Sequence, residues 1–160
     1  MHGVTRSSIQ PNHALIAPDS HVLSPLPGWT ATKAVILIAP AMGAVFTLYY
    51  ALMEPGGLAA PAAEPLQRFL FVVEGSLQLD LAGEGHTLAA GGYAYLPGQS
   101  RYGLRATSVS RVLVFEKPYE PLAGYEPPPA FAGDEATIAA IPFLGDPDAL
   151  LKNLLPSSPA

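Results

Sequence analysis

Three features of this sequence predict an all-β barrel with an irregular N-terminal arm and a short helical tail at the C-terminus. Apolar runs of strand length recur about every 8–12 residues and are separated by turn residues. The 18 prolines and 15 glycines are interleaved with those runs too evenly for a disordered chain, and they suit many tight turns. Of the 160 residues, 49% are hydrophobic and 13% charged, which is enough apolar material for one core and hence one domain.

Residues 1–30 read as the arm, made of short extended pieces that end in the turn "LPGW" at 26–29, with Trp29 capping the core. Residues 34–53 are twenty uncharged residues, long enough to cross a bilayer as a helix. Pro40 and Gly43 interrupt them, however, and the flanks are rich in β-branched and aromatic types, so the reading is two strands around a turn. "EPGGLAAPAAEP" at 54–65 is a loop. It leads into "QRFLFVVEG", a strand that sends Arg68, Leu70 and Val72 to one face and Phe69, Phe71 and Val73 to the other. Both faces are apolar, so the strand expects cover outside the barrel as well as inside.

Glu74-Gly75 makes the next turn. Leu77, Leu79 and Leu81 then alternate with polar partners, and "GEG" at 83–85 closes a hairpin into "HTLAAGG". "YAYLPG", "RYGLRAT" and "VSRVLVFEKPY" supply the remaining strands, out to Tyr119. Residues 31–119 thus form the barrel. Residues 120–160 form a proline-rich connector and a tail, in which Asp148 caps a short helix carrying Leu150, Leu151, Leu154 and Leu155.

The formal net charge is −5, and the eight Lys and Arg residues are unclustered, so neither nucleic acid nor an anionic membrane surface is expected as a partner. With no cysteine, a disulfide framework and a thiolate metal site are both excluded. The opening "MHGVTRSSIQPNHALIAP" lacks the basic start and unbroken apolar stretch of a secretory signal, so a cytoplasmic location is expected. The four histidines, His2, His13, His21 and His86, are scattered, and each reads as solvent-exposed or singly hydrogen-bonded. Glu74 reads as a solvated turn residue, and no Ser-His-Asp set or phosphate-cradling loop has supporting context.

The glycines carry a pattern of their own: Gly56-Gly57, Gly75 after an apolar strand, Gly91-Gly92, then Pro97-Gly98 before a strand. It resembles the two consecutive motifs of the cupin family, a jelly-roll barrel, with motifs running from Gly56 to Gly75 and from about Gly91 through Tyr102. Metal-binding cupins place two histidines and a glutamate in the first motif and a third histidine in the second, because these groups converge on one divalent ion. Counting back from Gly75 and forward from Pro97, the matching positions are Pro61, Ala63, Arg68 and Tyr102, none of them a ligand for such an ion. Arg68, a permanent cation, would repel a metal. Arg68 and Tyr102 are therefore candidate pocket-lining residues, offering a fixed cation and a phenol to a carboxylate or ureide. The competing reading is a buried arginine paired to an acidic neighbour, with Tyr102 filling space.

The ordered segments "LPGW", "PAMGAVF", "MEPGG", "RFLFVVEG", "YAYLP", "FEKPY" and "LLP" are similar to the N-terminal half of (S)-ureidoglycine aminohydrolase. That resemblance implies a two-barrel cupin of purine-ureide catabolism, with manganese and substrate in the second barrel and a metal-free first barrel used for packing. It implies no cofactor and no catalytic residue in this chain, and it leaves enzymatic activity open. The chain reads as a scaffold half, a truncated two-barrel protein whose catalytic half is absent. A homo-oligomer or a partner cupin barrel is expected to cover Phe69, Phe71, Val73 and the tail leucines. The alternative is a stand-alone cupin that binds a small molecule through Arg68 and Tyr102.

Overall fold

The computed structural model describes residues 6–10, 12–62, 65–124 and 126–155. Its strands are β1 (Ser8–Gln10), β2 (His13–Leu15), β3 (Leu23–Pro25), β4 (Trp29–Ile38) and β5 (Thr47–Ala59). Next come β6 (Leu66–Glu74), β7 (Ser76–Leu81), β8 (Glu84–Ala89), β9 (Gly92–Leu96), β10 (Tyr102–Ala106) and β11 (Ser110–Pro118). The last three are β12 (Phe131–Asp134), β13 (Ile141–Phe143) and β14 (Asp146–Leu151). Strands β3 to β12 form one sheet that wraps into a barrel along the path β12-β9-β6-β11-β5-β10-β7-β8, with β4 on β5 and β3 on β4.

Strand β5 joins the two halves of the barrel. Its first part pairs with β11 as far as Met53↔Ser110, while its end pairs with β10 through Leu58 and Ala59. The corner between these parts contains Gly57, where a Cβ would sit 3.0–3.2 Å from the carbonyl oxygens of Glu54, Thr30 and Ala31. A side chain here would press on the backbone of both β4 and β5, which favours glycine. For this reason the strand continues through half of the stretch that composition marks as a loop.

Residues 34–53 form the end of β4, a single 3-10 turn at Pro40–Met42 and the start of β5. Among the described residues no helix is long and apolar enough to cross a membrane. The arm carries the short pieces expected of it, a β1–β2 hairpin and β3, and Trp29 packs edge-on to Tyr49 against the core.

The C-terminal helix expected from Asp148 onward does not form. Asp146–Leu151 is a strand that pairs with β13 in the register Ile141↔Leu151 and Pro142↔Leu150. Asp146 Oδ1 accepts the Asp148 N–H at 2.9 Å, a local bond that competes with helix initiation, and Pro147 between them has no N–H to give. The four leucines belong to a β-ribbon and the segment after it.

The interior is mostly apolar. Leu70, Val72, Leu77, Leu79, Leu96, Leu104, Val112 and Val114 are among its fully buried side chains, each sent inward by strict alternation. Strand β6 behaves as its sequence requires: Arg68, Leu70 and Val72 are buried inside, and Phe69, Phe71 and Val73 are half-covered outside. The outer cover is aromatic, with Phe69 stacked on Tyr93 at 5.9 Å and edge-on to Phe115 at 6.3 Å, and Phe131 edge-on to Tyr93.

Gly75 shows how tightly the motif glycines are constrained. Its φ is +86°, and a Cβ would lie 2.3 Å from the Val109 carbonyl oxygen and 2.4 Å from Ser110 Oγ. Gly75→Ala is expected to lower stability by more than ~2 kcal/mol, since left-handed strain adds to a backbone clash. Urea unfolding followed by Trp29 fluorescence measures it, and a midpoint equal to wild type would refute the assignment.

Candidate functional site

The positions that correspond to the metal-binding pattern converge on one end of the barrel. Arg68 enters from β6 and Tyr102 from the start of β10, and the structure brings them together: Arg68 Nη1 donates to Tyr102 Oη. Pro61 lies exposed between Ala60 and Ala62, whose backbone groups bond this pair, while Ala63 falls outside the described residues.

Glu116 completes the cluster. It sits on β11 directly opposite Arg68 in the β11–β6 register. Its Oε1 accepts from Arg68 Nη2 at 2.6 Å, from Arg68 Nε at 2.8 Å and from Tyr49 Oη at 3.0 Å. Arg68 Nη1 also donates to the Ala60 carbonyl at 3.1 Å, and Tyr102 Oη accepts the Ala62 N–H at 3.1 Å. The guanidinium carbon lies 5.1 Å from the centre of the Trp29 ring, within cation–π range. Sequence reasoning missed Glu116, Tyr49 and the Ala60 carbonyl. The alternation that turns Val112 and Val114 inward also turns Glu116 inward, and that signal was present in the sequence.

The electrostatics follow from burial. Arg68 and Glu116 side chains are 5% and 17% exposed, so the ion pair is largely removed from water. Burial pushes the Tyr49 phenol far above its ordinary range, and the Glu116 carboxylate adds to this against the opposing pull of Arg68. Burial likewise raises Tyr102, with Arg68 acting the other way.

A divalent ion does not fit this arrangement. The cluster already contains a permanent cation whose charge is neutralised by the carboxylate that would have to serve as ligand. Among the described residues no group of three or more His, Asp or Glu side chains is placed to hold a metal. His13 bonds Asn12 at the exposed β2 edge, His21 and His86 are half-buried elsewhere, and His2 lies outside the described residues. Glu74 is exposed and ion-paired with Arg111. A ligand reaching Arg68 would have to displace Glu116 or the Ala60 carbonyl.

A second feature is a groove of about 720 Å3 on the outer face, floored by Phe69, Tyr95 and Phe115 and walled by Leu154 and Leu155. It joins the outward face of β6 to the tail leucines.

Two outcomes follow from the cluster. Arg68→Met is expected to destabilise the chain by about 3–5 kcal/mol, because it leaves Glu116 without its cation in a dry site. The double variant Arg68→Met/Glu116→Gln should recover part of that loss in denaturant titrations, and a double variant no better than the single one would contradict the pairing. The phenols set the alkaline behaviour. Their folded pKa values are raised, so the unfolded chain releases these protons first, and stability is full below about pH 10 and falls above it. Absorbance titration near 295 nm should show fewer than the seven tyrosines ionising before the barrel unfolds. Ionisation of all seven in the folded chain would refute the buried network.

No protein-family model matches the chain. It is 42% identical over 126 residues to a probable (S)-ureidoglycine aminohydrolase of rice, covering 78% of this chain and 41% of that protein. It is 39% identical over 124 residues to the (S)-ureidoglycine aminohydrolase of Arabidopsis thaliana, covering 77% and 42%. The crystal structure of the Escherichia coli protein Ylba superposes with a TM-score of 0.83 at 26% identity, covering 96% of this chain and 62% of that one. The chain spans less than half the length of the plant relatives. Fold and sequence agree: the chain is a cupin-type β-barrel that resembles the (S)-ureidoglycine aminohydrolases.

Proposed function

We propose that this chain is a non-catalytic cupin barrel of the ureidoglycine aminohydrolase type, working in packing and assembly and corresponding to the metal-free first barrel of such an enzyme. The observation that carries this reading is the closed Arg68–Glu116 cluster at the positions where a metal-binding cupin needs its ligands. In that cluster Glu116 Oε1 accepts from both Arg68 and Tyr49, Tyr102 bonds Arg68 and the Ala60 carbonyl, and Trp29 covers the guanidinium. Each of these side chains is engaged by another member of the cluster, which supports a structural role over activation of water or a substrate. Manganese chemistry, where such an enzyme uses it, is assigned to a second barrel, and the partner of this chain is a cupin barrel, either a copy of itself or that second one. Similarity to proteins named for the aminohydrolase reaction supports a place in ureide breakdown.

The test is direct. The purified chain, supplied with manganese, is expected to release ammonia from (S)-ureidoglycine no faster than buffer, and elemental analysis should find well under one transition metal per chain. Metal-dependent release abolished by a single substitution in this chain, or near one tightly held metal, would overturn the reading.

A further inference from the structure

The outer face of the main sheet stays apolar where β6, β11 and β5 run side by side. Register aligns Phe71 with Leu113 and Leu113 with Tyr50, and alternation places Val73 and Leu52 on the same face. All five are half-buried. A sheet face that meets water carries polar side chains at such positions. Strands β5, β6 and β11 make their extensive contacts only with strands of their own sheet, so among the described residues no other element packs extensively over the patch. Five large side chains left half-covered present apolar surface on the order of a few hundred Å2, the range in which patches on soluble proteins are often functional. The patch lies within the barrel sheet, and no residue of the β13–β14 ribbon or of the segment after it takes part.

One border of the patch is charged, and the order of its charges across the strands is specific. Glu74 on β6 stands opposite Arg111 on β11, Arg111 opposite Leu52 on β5, and Leu52 opposite Lys33 on β4, while Glu54 follows Leu52 on the same face. The Arg111 guanidinium lies 5.6 Å from the centre of the Tyr50 ring, so border and patch form one surface. Glu74 pairs with Arg111 within the chain, in the open, through Oε1. Lys33 and Glu54 are exposed and enter no ion pair among the described residues. The border as a whole is neutral. A two-fold axis in the plane of the face, parallel to the strands and between β11 and β5, lays β6 of one copy over β4 of the other and β11 over β5. Leu113 then meets Tyr50, and the charged border meets itself in opposite sign, Glu74 over Lys33 and Arg111 over Glu54. Stacking two sheets with their strands nearly aligned is an ordinary packing of such faces.

We infer that two copies of this chain pack their β6–β11–β5 outer faces against each other about this axis, with Lys33 and Glu54 of each copy held by Glu74 and Arg111 of the other. The contact is reciprocal, as a two-fold axis requires, and every charge pair occurs twice. The rim charges fix the register of an apolar contact that by itself has none. The inference rests on the assembly reading above and deepens it, and the two fail separately. Bound metal or ammonia release would remove the non-catalytic reading and leave the interface standing, whereas a monomer would remove the interface alone.

Charge reversal on the full chain tests the pairing and keeps folding out of the readout. Light scattering of the wild type at high micromolar concentration should report a dimer. Lys33→Glu and Glu74→Lys, each alone, set like charge on like at both ends of the interface and should weaken association at least tenfold, with Trp29 fluorescence showing the barrel still folded. Mixed in equal amounts, the two variants should associate again, because every Lys33 and Glu74 position across the axis then joins a glutamate to a lysine. With one variant carrying a mass tag, native mass spectrometry should find more than half of the dimers mixed, the share that random pairing gives. A monomeric wild type, single variants that associate as well as wild type, or a mixture with no excess of mixed dimers would each overturn the proposal.

Discussion

The buried pair between Arg68 and Glu116 organises one end of this barrel. A guanidinium removed from water must have its charge neutralised and its N–H groups bonded, and the chain meets both demands by drawing parts of five strands or their ends to one point. Trp29 comes from β4, Tyr49 and the Ala60 carbonyl from β5 and its end, Arg68 from β6, Tyr102 from β10 and Glu116 from β11. Such a pair adds little net stability compared with an apolar filling, but it tolerates no missing member, because the survivor would be an uncompensated charge. It therefore specifies register: Arg68 opposite Glu116 is the β6–β11 alignment itself.

The same constraint fills the positions that correspond to the cupin metal-binding pattern with a buried ion pair. Where a metal-binding cupin would gather histidines around a divalent ion, this chain gathers acceptors around a side-chain cation. Charge neutralisation inside the barrel is achieved in both cases, but only the metal leaves exchangeable coordination sites. Fold and function separate at this point, since the architecture persists while the chemistry depends on a handful of inward side chains.

Outside the barrel the governing term is apolar surface. Strand β9 is buried on both faces and β6 on its inner one, and the aromatic residues Phe69, Tyr93, Tyr95, Phe115 and Phe131 form the outer layer. That layer is incomplete over the groove lined by Phe69, Tyr95 and Phe115.

Alternation and turn chemistry made most of the architecture legible in the sequence. The period-2 pattern in "RFLFVVEG" assigned Leu70 and Val72 inward and Phe69 and Phe71 outward, and the glycine skeleton with its Pro-Gly pair marked the corners of a cupin-like barrel. Arg68 and Tyr102 could be singled out because their spacing from Gly75 and Pro97 is local and countable. The inward turn of Glu116 was legible too, but its pairing was not, since Glu116 lies 48 residues from Arg68 and only strand register puts it opposite. The C-terminal leucines read as a helix for a similar reason. Their spacing fits either structure, and what decides between them is the Asp146 side-chain bond and the pairing with Ile141–Phe143. Local backbone preference and burial pattern are written residue by residue, whereas a charge's partner and a ribbon's pairing are set by which distant segments the folded sheet brings into register.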